Sequence, residues 1–445
     1  MSLLDKYNVA APRYTSYPTV PYWEEEQPNA QRWSAHVADA FAENPEISLY
    51  IHLPFCESLC TYCGCNKRIT KNHQVEAPYI DTVLQEWQLY LDVLPGKPIL
   101  KEVHLGGGTP TFFATSELKR LINGLTAGAI VPEDRAYGFE AHPGSTSREH
   151  LETLFELGFE RLSIGVQDFA PEILAIINRH QTREEVEQVT RWAREIGYTS
   201  INYDLIFGLP LQTPEHIRTT VAYLEDLQPE RIAFYSYAHV PWIKPSQRAY
   251  SEADLPTGKE KRALYELGRN LLEAMGYQEI GMDHFALPHD ELCQAFDAGT
   301  LHRNFMGYTP FATRLSIGLG VSAIGDTWTA FMQNEKKLED YQSRVEAGEF
   351  PLHRGHWLTE SDQVIRRQIL NLMCQGQTSW EEAEPVLDEG WERLAEMEGD
   401  GLLHRCPRSV TLTEAGLPFV RNACLAFDAR YWKKQPEGRL FSQVV

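Results

Sequence analysis

The stretch ISLYIHLPFCESLCTYCGC, residues 47–65, joins a β-type apolar run to a loop that holds four cysteines. The same plan recurs downstream. KEVHLGG (101–107), YGFEAHP (137–143), ERLSIGVQ (160–167), INYDLIFG (201–208) and RIAFYSYAH (231–239) are further strand candidates, and helical patterns fill the gaps between them. Alternation of this kind predicts a parallel sheet with crossover helices. Each run ends in a polar or glycine feature: Cys56, Gly106 to Gly108, Glu140, Gln167, Asp204 and His239 in turn. In α/β barrels the C-terminal strand ends and the loops after them form the active face, so the pattern predicts a partial (β/α)6-type barrel.

Outward from this core the composition changes. Residues 1–45 read as an aromatic, proline-rich arm carrying Arg13, Tyr14, Tyr17, Tyr22 and Trp23, and residues 46–280 as the barrel. GMDHFALP, HRNFMGYTP and the glycine-spaced LSIGLGVSAIGD, within 281–358, read as loops of a cap and linker. Residues 359–445 read as helices followed by a small β-wing, a smaller, mainly helical, winged-helix-like domain. Its acidic stretch, from Glu381 to Glu398, opposes a nucleic-acid role.

Length and charge narrow the function class. The 445 residues are 43% hydrophobic and 23% charged, as in a globular protein of more than one domain. A formal charge of −21 opposes unspecific binding to nucleic acid or anionic lipid, so any anionic ligand needs a local basic pocket. Neither a secretory leader nor a membrane-length apolar stretch is evident, and a cytoplasmic, monomeric protein is expected. Cys293, Cys374, Cys406 and Cys424 are scattered and expected to be buried apolar residues.

Cys56, Cys60 and Cys63 stand at C-x3-C-x2-C spacing after a strand. Thiolates select iron–sulfur clusters, zinc or copper(I). A cubane held by three of them keeps one iron open to a ligand, whereas a four-cysteine zinc knuckle is the competing use of the same residues. Cys65, one residue beyond, is awkwardly placed for the same cubane and is left out of the ligand set. Gly106-Gly107-Gly108-Thr109 at the second strand end lets a backbone edge approach a ligand, although a tight turn is its ordinary meaning. Asp204 is a candidate for ribose hydroxyls. Glu140, Gln167 and Arg179 are candidates for polar cofactor contacts, with surface ion pairs as the alternative.

PRYTSYPT at residue 12, YIHLPFCESLCTYCGCNK at 50, HLGGGTPT at 104, RLSIGVQDF at 161, NYDLIFGLP at 202, GMDHFA at 281, HRNF at 302 and GVSAI at 320 together resemble the oxygen-independent coproporphyrinogen III oxidases of the radical S-adenosylmethionine superfamily. The likeness covers nearly the whole chain. It implies a [4Fe-4S] cluster on Cys56, Cys60 and Cys63, with Cys65 not a ligand, and two S-adenosylmethionine molecules. Their contacts carry over onto Tyr50, Tyr62, Gly107, Gly108, Thr109, Glu140, Gln167, Arg179, Asp204, Ala238 and Ile324, and catalytic roles onto Tyr50, Glu140 and Phe305. The implied chemistry is reductive cleavage of the sulfonium to a 5'-deoxyadenosyl radical. That radical takes a β-hydrogen from a propionate, and loss of carbon dioxide and an electron leaves a vinyl group. Two propionates of coproporphyrinogen III are converted in turn, giving protoporphyrinogen IX in anaerobic heme synthesis. A low-potential donor of flavodoxin or ferredoxin type and a terminal acceptor are implied.

Met306 and Arg314 depart from the family pattern, which has Gln and an acidic residue there, and bear on substrate detail. Arg13, Lys67, Arg68 and Arg303 are expected to supply positive charge for the tetracarboxylate substrate. Competing functions are a related heme chaperone, opposed by Cys65, and an anaerobic heme-degrading radical methyltransferase.

Overall fold

The computed structural model describes residues 3–23, 28–436 and 441. Parts of the predicted arm, at 1–2 and 24–27, and of the predicted C-terminal domain, at 437–440 and 442–445, lie outside the described residues. The chain divides into two compact units, one of residues 25–256 and 313–357, the other of residues 1–24, 257–312 and 358–445.

The first unit is built on β1 (Glu46–Leu53), with β2 (Ile99–Gly107), β3 (Ala136–Ala141), β4 (Phe159–Gln167), β5 (Ser200–Phe207) and β6 (Arg231–Ser236) following in spatial order. All neighbours in this run are parallel. Crossover helices join them: α2 (Glu76–Val93), α3 (Thr115–Ala127), α4 (Arg148–Glu156), α6 (Arg183–Ile196) and α7 (Pro214–Leu227), with the short α5 (Pro171–Ile176) after β4. Thus β1 is buried along nearly all its length, as expected for a parallel strand covered on both faces. Helix boundaries follow local chemistry. Thr182 and Glu185 form a reciprocal capping box at the start of α6, and Gly197 closes its end in the left-handed region.

Two stretches differ from the expected pattern. LSIGL (Leu315–Leu319), read as turn from its glycines, is strand β7, parallel to β1 on the side away from β2. Its glycine is a packing choice, because a Cβ on Gly318 would lie 2.5 Å from the carbonyl oxygen of Ile324. Strands β8 (Ile324–Asp326), β9 (Ala330–Asn334) and β10 (Leu352–Trp357) then extend the sheet in antiparallel fashion, with helix α8 (Leu338–Glu346) before β10. Within this unit the strand order runs from β10 to β6 without joining its ends, so the barrel is partial. The second difference is α1 (Ala30–Glu43), a helix within the stretch read as an arm. Trp33, Val37, Ala40 and Phe41 fall on one buried face at i, i+4, i+7 and i+8. Burial of a side chain the size of Val37 or Phe41 contributes roughly 1.5–3 kcal/mol.

The other unit gathers around α9 (Glu360–Gln375), α10 (Pro385–Arg393) and α11 (Val420–Phe427). The wing is β11 (Gln377–Ser379), β12 (Leu403–Cys406) and β13 (Ser409–Leu412), antiparallel with β13 in the middle. Ile365, Ile369, Leu372, Leu387, Leu394 and Val410 form one core with Tyr7, Tyr14 and Tyr17 of the N-terminal arm. Tyr14 donates to Asp428 at 3.0 Å, and the Arg421 guanidinium donates to the Pro12 carbonyl at 3.0 Å. Tyr7, Tyr14 and Tyr17 are therefore core residues of this unit. Cys293, Cys374 and Cys424 are buried as expected, but Cys406 is exposed, because it ends an edge strand of the wing.

Candidate active site

The cysteine loop leaves the C-terminal end of β1, and its backbone is tied down on every side. Arg68 and Thr70 amides donate to the Pro54 and Cys56 carbonyls at 2.8 and 2.9 Å, and the Thr61 amide donates to Ile177 at 2.9 Å. Ser246 donates to the Thr61 carbonyl and Gln247 to the Tyr62 carbonyl, each at 3.1 Å, while Lys244 reaches the Gly64 carbonyl at 2.5 Å. With the main chain held by main-chain and side-chain partners, the thiols remain available. Cys56, Cys60 and Cys63 all line one cavity of about 640 Å³. Thr109 donates to the Cys56 sulfur at 3.4 Å and Arg179 to the Cys60 sulfur at 3.7 Å. Burial pushes the Cys56 thiol up to about 11, against the pull of Thr109. Cys63 is held well below the ordinary thiol range by the neighbouring Cys65 thiol and by Lys67, and Cys65 is pushed up in exchange.

The opposite wall is made by the strand ends. Gly107 has φ +111°, and a Cβ there would lie 2.6 Å from the His52 ring. A Cβ on Gly108 would lie 2.5 Å from the Pro54 carbonyl carbon. The glycine run is thus demanded by the close passage of β2 beside the start of the cysteine loop. The Gly107 amide donates to Glu140 at 3.2 Å, and His104 approaches the other oxygen at 3.4 Å. Burial would raise the Glu140 carboxyl, but His104, the Gly107 amide and His52 together hold it below its ordinary value. Asp204 behaves oppositely. Burial, helped by the charge of Glu140, pushes it up to about 7, although Asn202 donates to it at 2.9 Å and Ser163 at 3.3 Å. Arg179 donates to Gln181 at 2.8 Å and to the Gly165 carbonyl, and Gln167 stands beside it at φ +67°.

Of the residues singled out in the sequence, Tyr62, Cys65, Gly107, Gly108, Thr109, Glu140, Gln167, Arg179 and Asp204 line the cavity with Cys56, Cys60 and Cys63. Tyr50, Ala238 and Ile324 do not line it. Tyr50 stacks on His104 at 6.1 Å between ring centroids and bonds His52 at 3.0 Å, directly behind the glutamate. The Ala238 carbonyl accepts from Gln247 at 3.1 Å, the same amide that holds Tyr62. Ile324 opens β8 and lies within the first unit. Phe305 belongs to the second unit, where its ring meets Trp23 edge-on at 6.3 Å.

The four cations also divide. Lys67 lines the cavity and donates to the Cys63 carbonyl at 3.1 Å, whereas exposed Arg68 pairs with Glu339 at 2.6 Å. In the second unit Arg13 pairs with Asp283 at 3.1 Å, and buried Arg303 lies 4.4 Å over the Tyr308 ring. Arg314, unusual by pattern, pairs with Glu43 at 2.8 Å and stacks on Trp328.

Sequence reasoning missed His52, His104, Ser163, Asn202 and Gln247, all of which hold a named site residue. His104, Ser163 and Asn202 lie two or more residues before a strand end, on the same strand face as Gly106, Gly165 and Asp204, and period-two counting would have found them.

Four thiols of one loop line a roomy cavity with an arginine and a lysine nearby to offset negative charge, and Cys56, Cys60 and Cys63 among them suit a cluster bound through three sulfurs. Among the described residues no group of three or more His, Cys, Asp and Glu side chains closes on a single ion.

Residues 50–224 match the model of the radical SAM superfamily. The chain is 37% identical over 458 residues to the oxygen-independent coproporphyrinogen III oxidase of Pseudomonas aeruginosa, spanning 100% of this chain and 98% of that relative. It is likewise 37% identical over 453 residues to the protein of the same name from Escherichia coli K12, with 100% and 98% covered. Among solved structures, coproporphyrinogen III oxidase (HemN) from Escherichia coli, described as a radical SAM enzyme, aligns with a TM-score of 0.89 at 36% identity over 94% of this chain and 97% of that one. The stretch matched to the superfamily runs from β1 through the cysteine loop into α7, and the likeness to the oxidases continues to both ends, so the chain belongs to the oxygen-independent coproporphyrinogen III oxidase family.

Proposed function

We propose that this protein is a radical S-adenosylmethionine oxidoreductase that converts two propionates of coproporphyrinogen III to vinyl groups, giving protoporphyrinogen IX in heme biosynthesis. The observation that carries the reading is the meeting of three loop thiols with the strand-end glycines and carboxylates in one cavity, in a chain similar end to end to named oxidases. The family implies a [4Fe-4S] cluster and S-adenosylmethionine, and Cys56, Cys60 and Cys63 would hold the cluster. When bound, this pair supplies one-electron cleavage of a sulfonium and hence hydrogen-atom abstraction.

The chain's own residues bind, orient and exclude. The Gly107–Thr109 edge presents backbone polar groups to the cavity, with the two glycines kept small by His52 and Pro54 behind them. Asp204, steadied by Asn202 and Ser163, presents a carboxyl suited to vicinal hydroxyls, and Glu140, with Tyr50 packed behind His104, presents an anion suited to an ammonium group. Gln167 and Arg179 complete the polar lining beside Tyr62. A second S-adenosylmethionine, with Ala238 and Ile324 among its contacts, and a catalytic part for Phe305 belong to the same proposal. So do substrate carboxylate contacts from Arg13, Lys67, Arg68 and Arg303, and the division into an arm, barrel, cap and C-terminal domain at residues 45, 280 and 358. We further assign a flavodoxin- or ferredoxin-type donor, a monomeric state and a cytoplasmic location. Among the described residues no helix is long and apolar enough to cross a membrane.

The test is anaerobic reconstitution with iron and sulfide, followed by reductant, S-adenosylmethionine and coproporphyrinogen III. Vinyl products with 5'-deoxyadenosine are expected. Retention of heme without turnover would replace the reading with the chaperone, and methyl transfer to heme would replace it with the methyltransferase.

A further inference from the structure

The outer side of the cysteine loop combines exposed apolar side chains with cations. Cys60 is buried, but its neighbour Leu59 is 37% exposed, and Gly64 is exposed as well, so a single residue's thickness separates the inward thiols from solvent. Against this side lies the segment after β6, in which Trp242 and Ile243 are 45% and 53% exposed and Lys244 bonds the Gly64 carbonyl. From the other side the Lys336 carbonyl accepts from Asn66 at 2.9 Å, which brings exposed Lys336 to the same loop. Lys336 feels the charge of Arg354 and of Lys244. Partial burial and those two cations hold the Lys336 ammonium below its ordinary value. The nearby acids are engaged elsewhere, Glu335 with Arg344 and His353 and Glu339 with Arg68. A net-acidic chain of charge −21 therefore places Lys244 and Lys336 beside exposed apolar side chains over the thiol loop.

We propose that this face, centred on Trp242, Ile243, Lys244 and Lys336, docks an acidic one-electron carrier protein that reduces the cluster. The inference rests on the function proposed above, which requires an electron from outside. The step is a one-electron transfer: the carrier is oxidised by one electron, the cluster is reduced by one, and no atom moves. Charge complementarity supplies the choice of partner, because a chain of net charge −21 repels an acidic protein on average and the belt would orient it onto the loop. The exposed indole and isoleucine supply the apolar centre that such a contact needs, with the cations as its rim.

The experiment uses the full chain with its reconstituted cluster and two surface variants, Lys336→Glu and Trp242→Ala. Reduced flavodoxin and, separately, an acidic ferredoxin are mixed with each protein, and bleaching of the cluster absorbance is followed in stopped flow. At low salt Lys336→Glu should lower the second-order rate constant roughly tenfold, an effect that shrinks as salt is added, and Trp242→Ala should lower it roughly threefold. Affinity for the oxidised carrier, read by thermophoresis, should fall in parallel. Reduction by the small methyl viologen radical cation should not slow.

The proposal is overturned if both variants accept electrons from both carriers at the wild-type rate, or if viologen reduction slows equally. It is also overturned if neither carrier reduces the wild type, or if the variants raise the KM for coproporphyrinogen III with carrier rates intact, which would give the belt to the substrate. A wild type that assembles no cluster would instead sink the functional reading itself.

Discussion

Two acidic groups of the first unit, Glu86 buried and Glu140 open to the cavity, behave differently, and the contrast separates architecture from chemistry. Behind β7, Glu86 on α2 accepts from the Gly320 amide at 2.8 Å, from Tyr341 at 2.7 Å and from Asn334 at 2.6 Å. In the cavity, Glu140 is reached by only two long contacts, at 3.2 and 3.4 Å, and its side chain keeps 42% exposure toward the open space. Burial pushes Glu86 up to about 7, whereas His104, the Gly107 amide and His52 hold Glu140 below its ordinary value. What differs is the identity of the donors. Protein groups saturate Glu86, which staples the turn after β7 to α2, whereas the cavity carboxylate retains acceptor capacity for a ligand.

The sharpest way to break the contrast is to remove a thiol from the open side. Cys60→Ala should abolish 5'-deoxyadenosine formation, leave too few sulfurs to keep the cluster absorbance after reconstitution, and yet shift the melting temperature of the cluster-free chain little. Loss of fold along with activity would show that the loop is a structural element of the barrel.

On the closed side the effect should fall on stability instead. Glu86→Leu strands the Gly320 amide, Asn334 and Tyr341 without their acceptor, and should cost about 3–5 kcal/mol in urea unfolding. A change under about 1 kcal/mol would mean that the network relaxes freely and that Glu86 is no staple.

A smaller effect sharpens the comparison through pH. Asp204, like Glu86, has its folded value raised to about 7 from an ordinary carboxyl value near 4, so between those values the folded state binds more protons than the unfolded state. Stability in the absence of added S-adenosylmethionine should therefore fall as pH rises from about 4 through 7. Asp204→Asn should flatten that slope by roughly 2 kcal/mol, a figure reduced for partial access to solvent in the cavity. An unchanged slope in urea titrations at pH 5 and pH 8 would show that Asp204 ionises normally in the open cavity.

Much of the site was legible because its chemistry is local. The C-x3-C-x2-C spacing, the glycine run and the polar residues at successive strand ends all report on one loop or one strand terminus at a time. They remained readable through βα alternation, which made strand ends coincide with the cavity wall. The residues behind the wall were silent. His104 and Asn202 look like ordinary strand residues until the register places His104 beside Tyr50 and Asn202 two residues before Asp204. Gln247 lies in a stretch without motif, and only the folded chain brings its amide to both Tyr62 and Ala238. The seventh parallel strand was hidden for the opposite reason, since Gly318 and Gly320 carry a turn signature but are small because Ile324 and His52 pass so close.

The amino-acid order by itself determined the alternating elements, the thiol loop and the family, since each depends on periodicity or on spacing within a short span. Tertiary structure alone decided which carboxylates stay open, which become staples and which glycines are spacers. Those properties depend on what a distant segment places within a few ångströms, and no local pattern records it.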